Sequence, residues 1–167
     1  MLHWQRRKAE FRYPIGRAPR TAVLVRWFRE SGGVRVFRGG WCEEAARFQP
    51  QAIAATWPQL ETLMGLAVPD RAIIVLARPG QALLTTGQRE RLWRAFHVPV
   101  FEQIIGDRGE VLAAECEAHD GLHLESSSFQ LPPSVTDPGP CACGRKSPRM
   151  LPDEPAERAR AAAAYAR

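Results

Sequence analysis

The sequence predicts an α/β fold: a small single domain with a short mixed sheet, flanking helices and a C-terminal segment pinned by a metal ion. Three observations carry this. The run Ala72-Ile-Ile-Val-Leu-Ala77 is apolar at six consecutive positions, as suits a strand buried on both faces. A capped helix pattern and a second apolar segment follow it, the layout of a parallel β-α-β unit. Finally, three of the four cysteines lie with two histidines inside residues 116–143.

Residues 1–20 read as a basic arm, broken by Pro14, Gly16 and Pro19 and able to pack through Trp4, Phe11 and Tyr13. The α/β domain spans 21–151. It opens with β-branched and aromatic residues 21–29, a turn signal at Ser31-Gly32-Gly33 and the alternating Val34-Arg-Val-Phe-Arg38, which together predict a β-hairpin. Residues 43–49 read as a short helix. Residues 51–64 carry Ile53, Trp57, Leu60, Leu63 and Met64 at helical spacing, with Pro50 at the start, Pro58 kinking the helix or dividing it into two shorter pieces, and Gly65 as the stop. After the strand at 71–77, Thr85 and Gln88 form a capping box. The helix they open would bury Leu92, Trp93 and Phe96 and wet Arg89, Glu90, Arg91 and Arg94. Val98–Phe101 is the next strand. Val111–Cys116 and Leu122–Ser126 read as two short strands joined by a turn. Residues 131–140, with four prolines, exclude regular structure, and 152–167 form a C-terminal helix or tail, Ala-rich from 154 onward.

Composition narrows the class. Hydrophobic residues make up 45% and charged residues 25%, ordinary for a globular domain. No apolar run approaches the roughly 20 residues of a membrane span, and no apolar stretch follows the basic N-terminus as a signal peptide requires. A cytoplasmic protein with no membrane association is expected. The net charge of +5 is concentrated: residues 1–40 hold ten Arg or Lys against Glu10 and Glu30. Arg26, Arg29, Arg35 and Arg38 interleave with Trp27, Phe28 and Phe37, a mix that can stack bases and bind phosphates, or dock an acidic protein. It equally fits an amphipathic sheet with arginines on its wet face. The acidic residues Glu102, Asp107, Glu110, Glu115 and Glu117 read mainly as surface charges, and His97 as a helix-end imidazole.

The chemistry lies in Cys116, His119, His123, Cys141 and Cys143. Thiolate and imidazole are the ligands zinc prefers, and a closed set of four makes a structural site. Gly144 lets the chain turn after Cys141-x-Cys143 so that both sulfurs face inward. Cys116 and His123 sit on adjacent strands and can converge. His119 competes from the turn, where it would have to fold back. A structural Zn2+ would anchor residues 124–140, which have little apolar content of their own, and defines a zinc subregion at 111–151.

Three stretches carry a family resemblance. Gly80-Gln-Ala-Leu-Leu84 runs through Arg89, Leu92, Phe96 and Val98-Pro-Val100. Glu115-Cys116 runs to Gly121-Leu-His-Leu124. Cys141-Ala-Cys-Gly-Arg145 is followed by Pro148-Arg-Met150. Residues 80–151 thus resemble the phenylacetate-CoA ligase family of AMP-forming acyl-CoA synthetases. In zinc-containing members the two Cys/His segments hold a structural zinc, so the resemblance implies Cys116, His123, Cys141 and Cys143 as ligands and prefers His123 to His119. The sequence also departs from that family. No Gly/Ser/Thr-rich phosphate loop is present; Ser126-Ser-Ser128 lacks the glycines. Phe101-Glu-Gln-Ile-Ile-Gly106 stands where the family's Tyr-Gly-x-(Ser/Thr)-Glu motif is expected, with Glu102 as its remnant. The ribose-binding strand, the mobile C-terminal domain and its catalytic lysine have no counterpart, and Lys146 lies beside the metal ligands instead. The expectation is an accessory or partner-binding domain, working with a protein partner or as a homo-oligomer and not catalytic alone. The alternatives are the zinc-bearing subunit of a split ligase, and a nucleic-acid-binding protein using Arg26, Arg29, Arg35 and Arg38.

Overall fold

The computed structural model describes residues 8–127, 129 and 136–151. A nine-stranded mixed sheet runs through it. In chain order the elements are β1 (Ala9–Glu10), β2 (Thr21–Val23), β3 (Phe28–Arg29), β4 (Val34–Val36), α1 (Glu43–Arg47), β5 (Ala52–Ala55), α2 (Trp57–Leu63), β6 (Ala72–Ala77), α3 (Thr86–Phe96), β7 (Val100–Ile105), β8 (Val111–Glu115), β9 (Leu122–Leu124), β10 (Thr136–Asp137) and β11 (Arg149–Met150). The sheet order is β10-β11-β9-β8-β7-β6-β5-β2-β4, and β1 with β3 forms a separate two-stranded sheet. Strands β4, β2, β5, β6 and β7 pair in parallel; β7, β8, β9, β11 and β10 pair antiparallel. The sheet therefore has a parallel half, built by crossovers, and an antiparallel half that carries the cysteines.

The parallel half is buried on both faces. Ala22, Leu24, Ile53, Ile73 and Val75 face the three helices, together with Leu60, Leu63, Leu92 and Phe96. Val23, Ala54, Ile74, Leu76 and Phe101 face the other way, where the N-terminal segment covers them through Phe11, Tyr13, Ala18 and Phe28. Phe11 meets Phe28 edge to face, with ring centroids 5.5 Å apart. No helix is long and apolar enough to cross a membrane among the described residues.

The β6-α3-β7 unit forms as its residues dictate. Thr85 accepts the Gln88 N–H at 3.2 Å and Gln88 accepts the Thr85 N–H at 2.9 Å, closing the capping box. His97 ends the helix in the left-handed region at φ 55°, its N–H bonded to the Trp93 carbonyl at 2.7 Å. Two expected positions on this helix are reversed. Trp93 is 57% exposed, and Arg89 is turned inward.

Other elements depart further. The expected hairpin over 21–38 does not form: β2 and β4 are parallel neighbours, and β3 leaves the sheet to pair with β1. Ser31 and Val34 do bridge, so the turn signal is real, but it steers the chain into a crossover. The cause is burial. Thr21–Val25 is buried throughout, and a two-stranded ribbon cannot cover both its faces. The helix expected over 51–64 is a strand followed by a helix. Ala52–Ala55 (Ala-Ile-Ala-Ala) are apolar and fully buried between β2 and β6. Pro58 starts α2 instead of kinking a longer helix, because Pro fits the first turn and Thr56 caps it with Gln59. The short strand β10 also interrupts the region expected to lack regular structure. Trp4, residues 131–135 of the proline-rich stretch and the C-terminal helix or tail lie outside the described residues.

Candidate metal centre

The antiparallel half brings four ligands together. Cys116 follows the last residue of β8, and His123 lies in the middle of β9, facing Ala114 across the pair and Arg149 on the other side. The link between β8 and β9 turns tightly. The His119 N–H bonds the Cys116 carbonyl at 3.1 Å, with φ 50° at His119 and 81° at Gly121. Gly121 has no substitute there: a Cβ would sit 2.6 Å from the Met150 carbonyl oxygen. A second turn presents the other sulfurs, with the Gly144 N–H bonded to the Cys141 carbonyl at 2.9 Å and φ 82° at Gly144.

The ligand atoms of Cys116, His123, Cys141 and Cys143 all lie within 4.8 Å of one another. Cys116 Sγ is 3.7 Å from Cys141 Sγ, and Cys143 Sγ is 3.3 Å from His123 Nε2. A tetrahedral ion with bonds of about 2.3 Å to sulfur and 2.0–2.1 Å to nitrogen would space sulfurs about 3.8 Å apart and sulfur from nitrogen about 3.5 Å. The spacing is compatible with a metal site. Cys116, His123 and Cys141 are buried, and Cys143 is half-buried.

The surroundings suit metal ligation. The His123 Nδ1–H donates to the Ser147 carbonyl at 3.2 Å, with the Ser147 hydroxyl at 3.0 Å, which leaves the Nε2 lone pair facing the sulfurs. Burial, the largest effect, holds the imidazole below its ordinary pKa, and the cations Arg145 and Arg149 work the same way, so it stays neutral as a ligand must. Burial pushes the Cys116 thiol up to about 12, although the Ala118 N–H bonds its sulfur. Cys143 is burdened by burial too, yet the Arg145 N–H and its sulfur neighbours bring it below the ordinary thiol value. Packed thiols of this kind ionise together only when a cation neutralises them.

Arg149 ties the centre to its frame. Its buried guanidinium donates to the Asp120 carbonyl at 3.0 Å, to the Asp120 carboxylate, and to Asp137 Oδ2 at 2.6 Å, joining the β8–β9 turn to β10. Glu125 joins it to the N-terminal segment, pairing with Arg145 at 2.8 Å and with Arg12 at 2.9 Å.

His119 is not in the cluster. Its ring stacks on Phe101 at 4.8 Å, and its Nδ1 is 3.3 Å from Glu115 Oε1. The arginines of the unformed hairpin are spread over different elements. Arg29 pairs with Glu10; Arg35 pairs with Glu44 at 2.7 Å and lies over Phe37 and Phe48. Arg26 and Arg38 are exposed. Trp27 is covered by the Arg78 guanidinium, 3.8 Å from its ring centre.

A second polar cluster corrects the reading of Glu102 and Glu115 as surface charges. Both are buried, and Arg89 bridges them, at 3.1 Å from Glu102 Oε2 and 3.0 Å from Glu115 Oε2. The Leu84 N–H donates to Glu102 at 3.1 Å and the Glu102 N–H to Glu115 at 2.9 Å. One guanidinium faces two carboxyls. Burial would lower the Arg89 pKa, but the two carboxylates outweigh it and keep the guanidinium charged. Burial raises Glu102 to about 7 despite Arg89. The available signal was a charged residue inside the largely apolar run Val98–Ile105.

No family model matches the chain, and no curated protein matches it by sequence. Among solved structures it is similar to a 2-hydroxyisobutyryl-CoA ligase, crystallised in an open conformation in complex with 2-HIB-AMP and CoA. The TM-score is 0.58 and the identity 14%, over 83% of this chain and 45% of that one. The chain thus spans less than half the length of that ligase, and the likeness is one of fold.

Proposed function

We propose that this chain is a zinc-stabilised, partner-binding domain on an acyl-CoA-ligase-like scaffold, not catalytic by itself. One observation carries the zinc: three sulfurs and one imidazole nitrogen lie within 4.8 Å of each other. A Cys3His set is a structural zinc set, and such an ion contributes directly to folding. Three thiolates reserved for a metal also fit a reducing, cytoplasmic setting. The accessory role is supported by what the residues lack, a glycine-rich phosphate loop and an intact adenylate motif at Phe101–Gly106. The resemblance of residues 80–151 to phenylacetate-CoA ligases agrees with the fold likeness to an acyl-CoA ligase.

Elemental analysis of the purified chain tests this reading. One zinc per chain is expected, and a chelator should lower the melting temperature. A metal-free protein whose melt ignores chelator would overturn it. A second reading, the zinc-bearing subunit of a split acyl-CoA ligase, draws on the partial coverage of the ligase. It predicts ATP-dependent adenylation of an organic acid once a partner carrying the phosphate loop is added. A nucleic-acid role for Arg26, Arg29, Arg35 and Arg38 has the least support, because Arg29 and Arg35 are already ion-paired. It predicts salt-sensitive binding that weakens when the four are neutralised.

A further inference from the structure

Among the described residues only four large apolar side chains are exposed: Ile15, Leu66, Val68 and Trp93. Two of them flank one cavity. Leu66, 68% exposed, and Val68, 91% exposed, rim a hollow of about 400 Å³ whose floor includes Trp41 and Pro50. The loop that carries them is held at both ends. The N–H groups of Leu66 and Ala67 bond the Leu63 carbonyl at 2.9 and 3.2 Å, and the Arg71 N–H bonds the Gln51 carbonyl at 2.9 Å. Ala67 is buried between them, so its neighbours are directed outward as fixed knobs.

The rim also holds one charge of each sign, Arg20 and Asp70. Neither has an ion-pair partner among the described residues. Arg20 precedes β2 and Asp70 precedes β6, with β5 between those strands. Two strand spacings, about 9.6 Å, separate their backbones. The patch therefore contains knobs, a hollow, a cation and an anion. A two-fold contact requires such a patch, because one surface must supply both halves of each complementary pair.

We infer that this face is an isologous dimer contact between two copies of the chain. Val68 and Leu66 of each copy enter the hollow beside Trp41 and Pro50 of the other. Arg20 of each copy meets Asp70 of the other across the axis. The inference is independent of the zinc reading, since none of these residues lies near the ligands in the sheet order.

Sedimentation equilibrium of the full chain, across concentrations up to about 200 µM, tests it, because a dimer shifts with concentration by mass action. A monomer–dimer equilibrium is expected. Val68→Asp should abolish dimerisation with an unchanged far-UV spectrum and melt of the monomer, because that side chain is almost fully exposed. Arg20→Asp and Asp70→Arg, each alone, should weaken the dimer at least about tenfold, since like charges then face each other. The double reversal should return it to within about threefold of the parent, as a restored pair does in a mutant cycle. A monomer at every concentration overturns the inference. So does a dimer indifferent to Val68→Asp, or a double reversal no better than the single changes.

Discussion

Replacing Arg89 with leucine should be among the most damaging single changes in the α/β body. The guanidinium spans two carboxyls that are almost wholly buried, Glu102 and Glu115. Leucine fills part of the space and leaves both without their cation. Breaking a buried ion pair by deleting one partner costs about 3–5 kcal/mol. A domain of 167 residues has a stability of about 8–25 kcal/mol, so the loss is a sizeable fraction. It corresponds to a fall in melting temperature of roughly 6–20 °C. The cost also depends on pH. A carboxyl whose folded pKa lies above its unfolded one favours folding in acid. That contribution is whole below the ordinary carboxylate range and is lost as pH rises through the folded value, about 7 for Glu102 even with Arg89 present. Without Arg89, which lowers it, the folded value of Glu102 moves further up. The penalty should therefore be larger at pH 8 than at pH 5. Urea unfolding followed by tryptophan fluorescence at the two pH values measures this. Adding Glu102→Gln to the Arg89→Leu chain should recover much of the loss at pH 8, because it removes one stranded charge. A penalty below about 1 kcal/mol, or one equal at both pH values, would refute the reasoning.

His123→Ala should lose stoichiometric metal in elemental analysis, whereas His119→Ala, outside the cluster, should keep it. Gly121→Ala should destabilise by more than about 1 kcal/mol in a thermal melt, since it forces a Cβ against the Met150 carbonyl in a left-handed backbone. Leu92→Ala, at a fully buried position under α3, should cost about 2–5 kcal/mol in urea unfolding. Chelation should speed tryptic cleavage after Arg12 and Arg17. The Arg145–Glu125–Arg12 link is anchored next to Cys143, and Glu125→Gln should give part of the same effect with metal present.

The sequence was most legible where local chemistry and tertiary demand agree. The Thr85/Gln88 capping box and the apolar run at 72–77 each point one way, and each forms as expected; the Cys/His spacing left two histidines open, and it is His123 that lies with the sulfurs. It misled where a residue's periodicity was compatible with two elements. Ile53, Trp57 and Leu60 are at helical spacing, yet Ala52–Ala55 is a strand, buried at every position between β2 and β6. No local pattern could reveal those neighbours. The same holds for Thr21–Val36, where the turn was readable but the direction of pairing was not. Arg89 looked like a wet-face residue because its partners lie on strands 13 and 26 positions away. The choice of His123 over His119 rested on a family resemblance; the physical reason is that a strand position aims Nε2 at the sulfurs while the turn position stacks on Phe101.

The two halves of the sheet are stabilised by different physics. From β4 to β7, apolar side chains from both faces close two contiguous cores, so pairing and burial support each other. Beyond β8 the apolar supply falls to Ile104, Leu112, Ala113, Leu122 and Met150, backed by a few partly buried neighbours. Strands β9, β10 and β11 have only two or three residues each, too few to hold a register by burial. Long-range polar links replace it. Arg149 joins the Asp120 turn to Asp137, and Glu125 joins Arg145 to Arg12. Each such link is weak while its ends are free to move and strong once they are fixed. Four ligands drawn from β8, β9 and the Cys141–Gly144 turn would fix all of those ends at once. A metal ion held there would let a short-stranded, polar half extend a conventional parallel core.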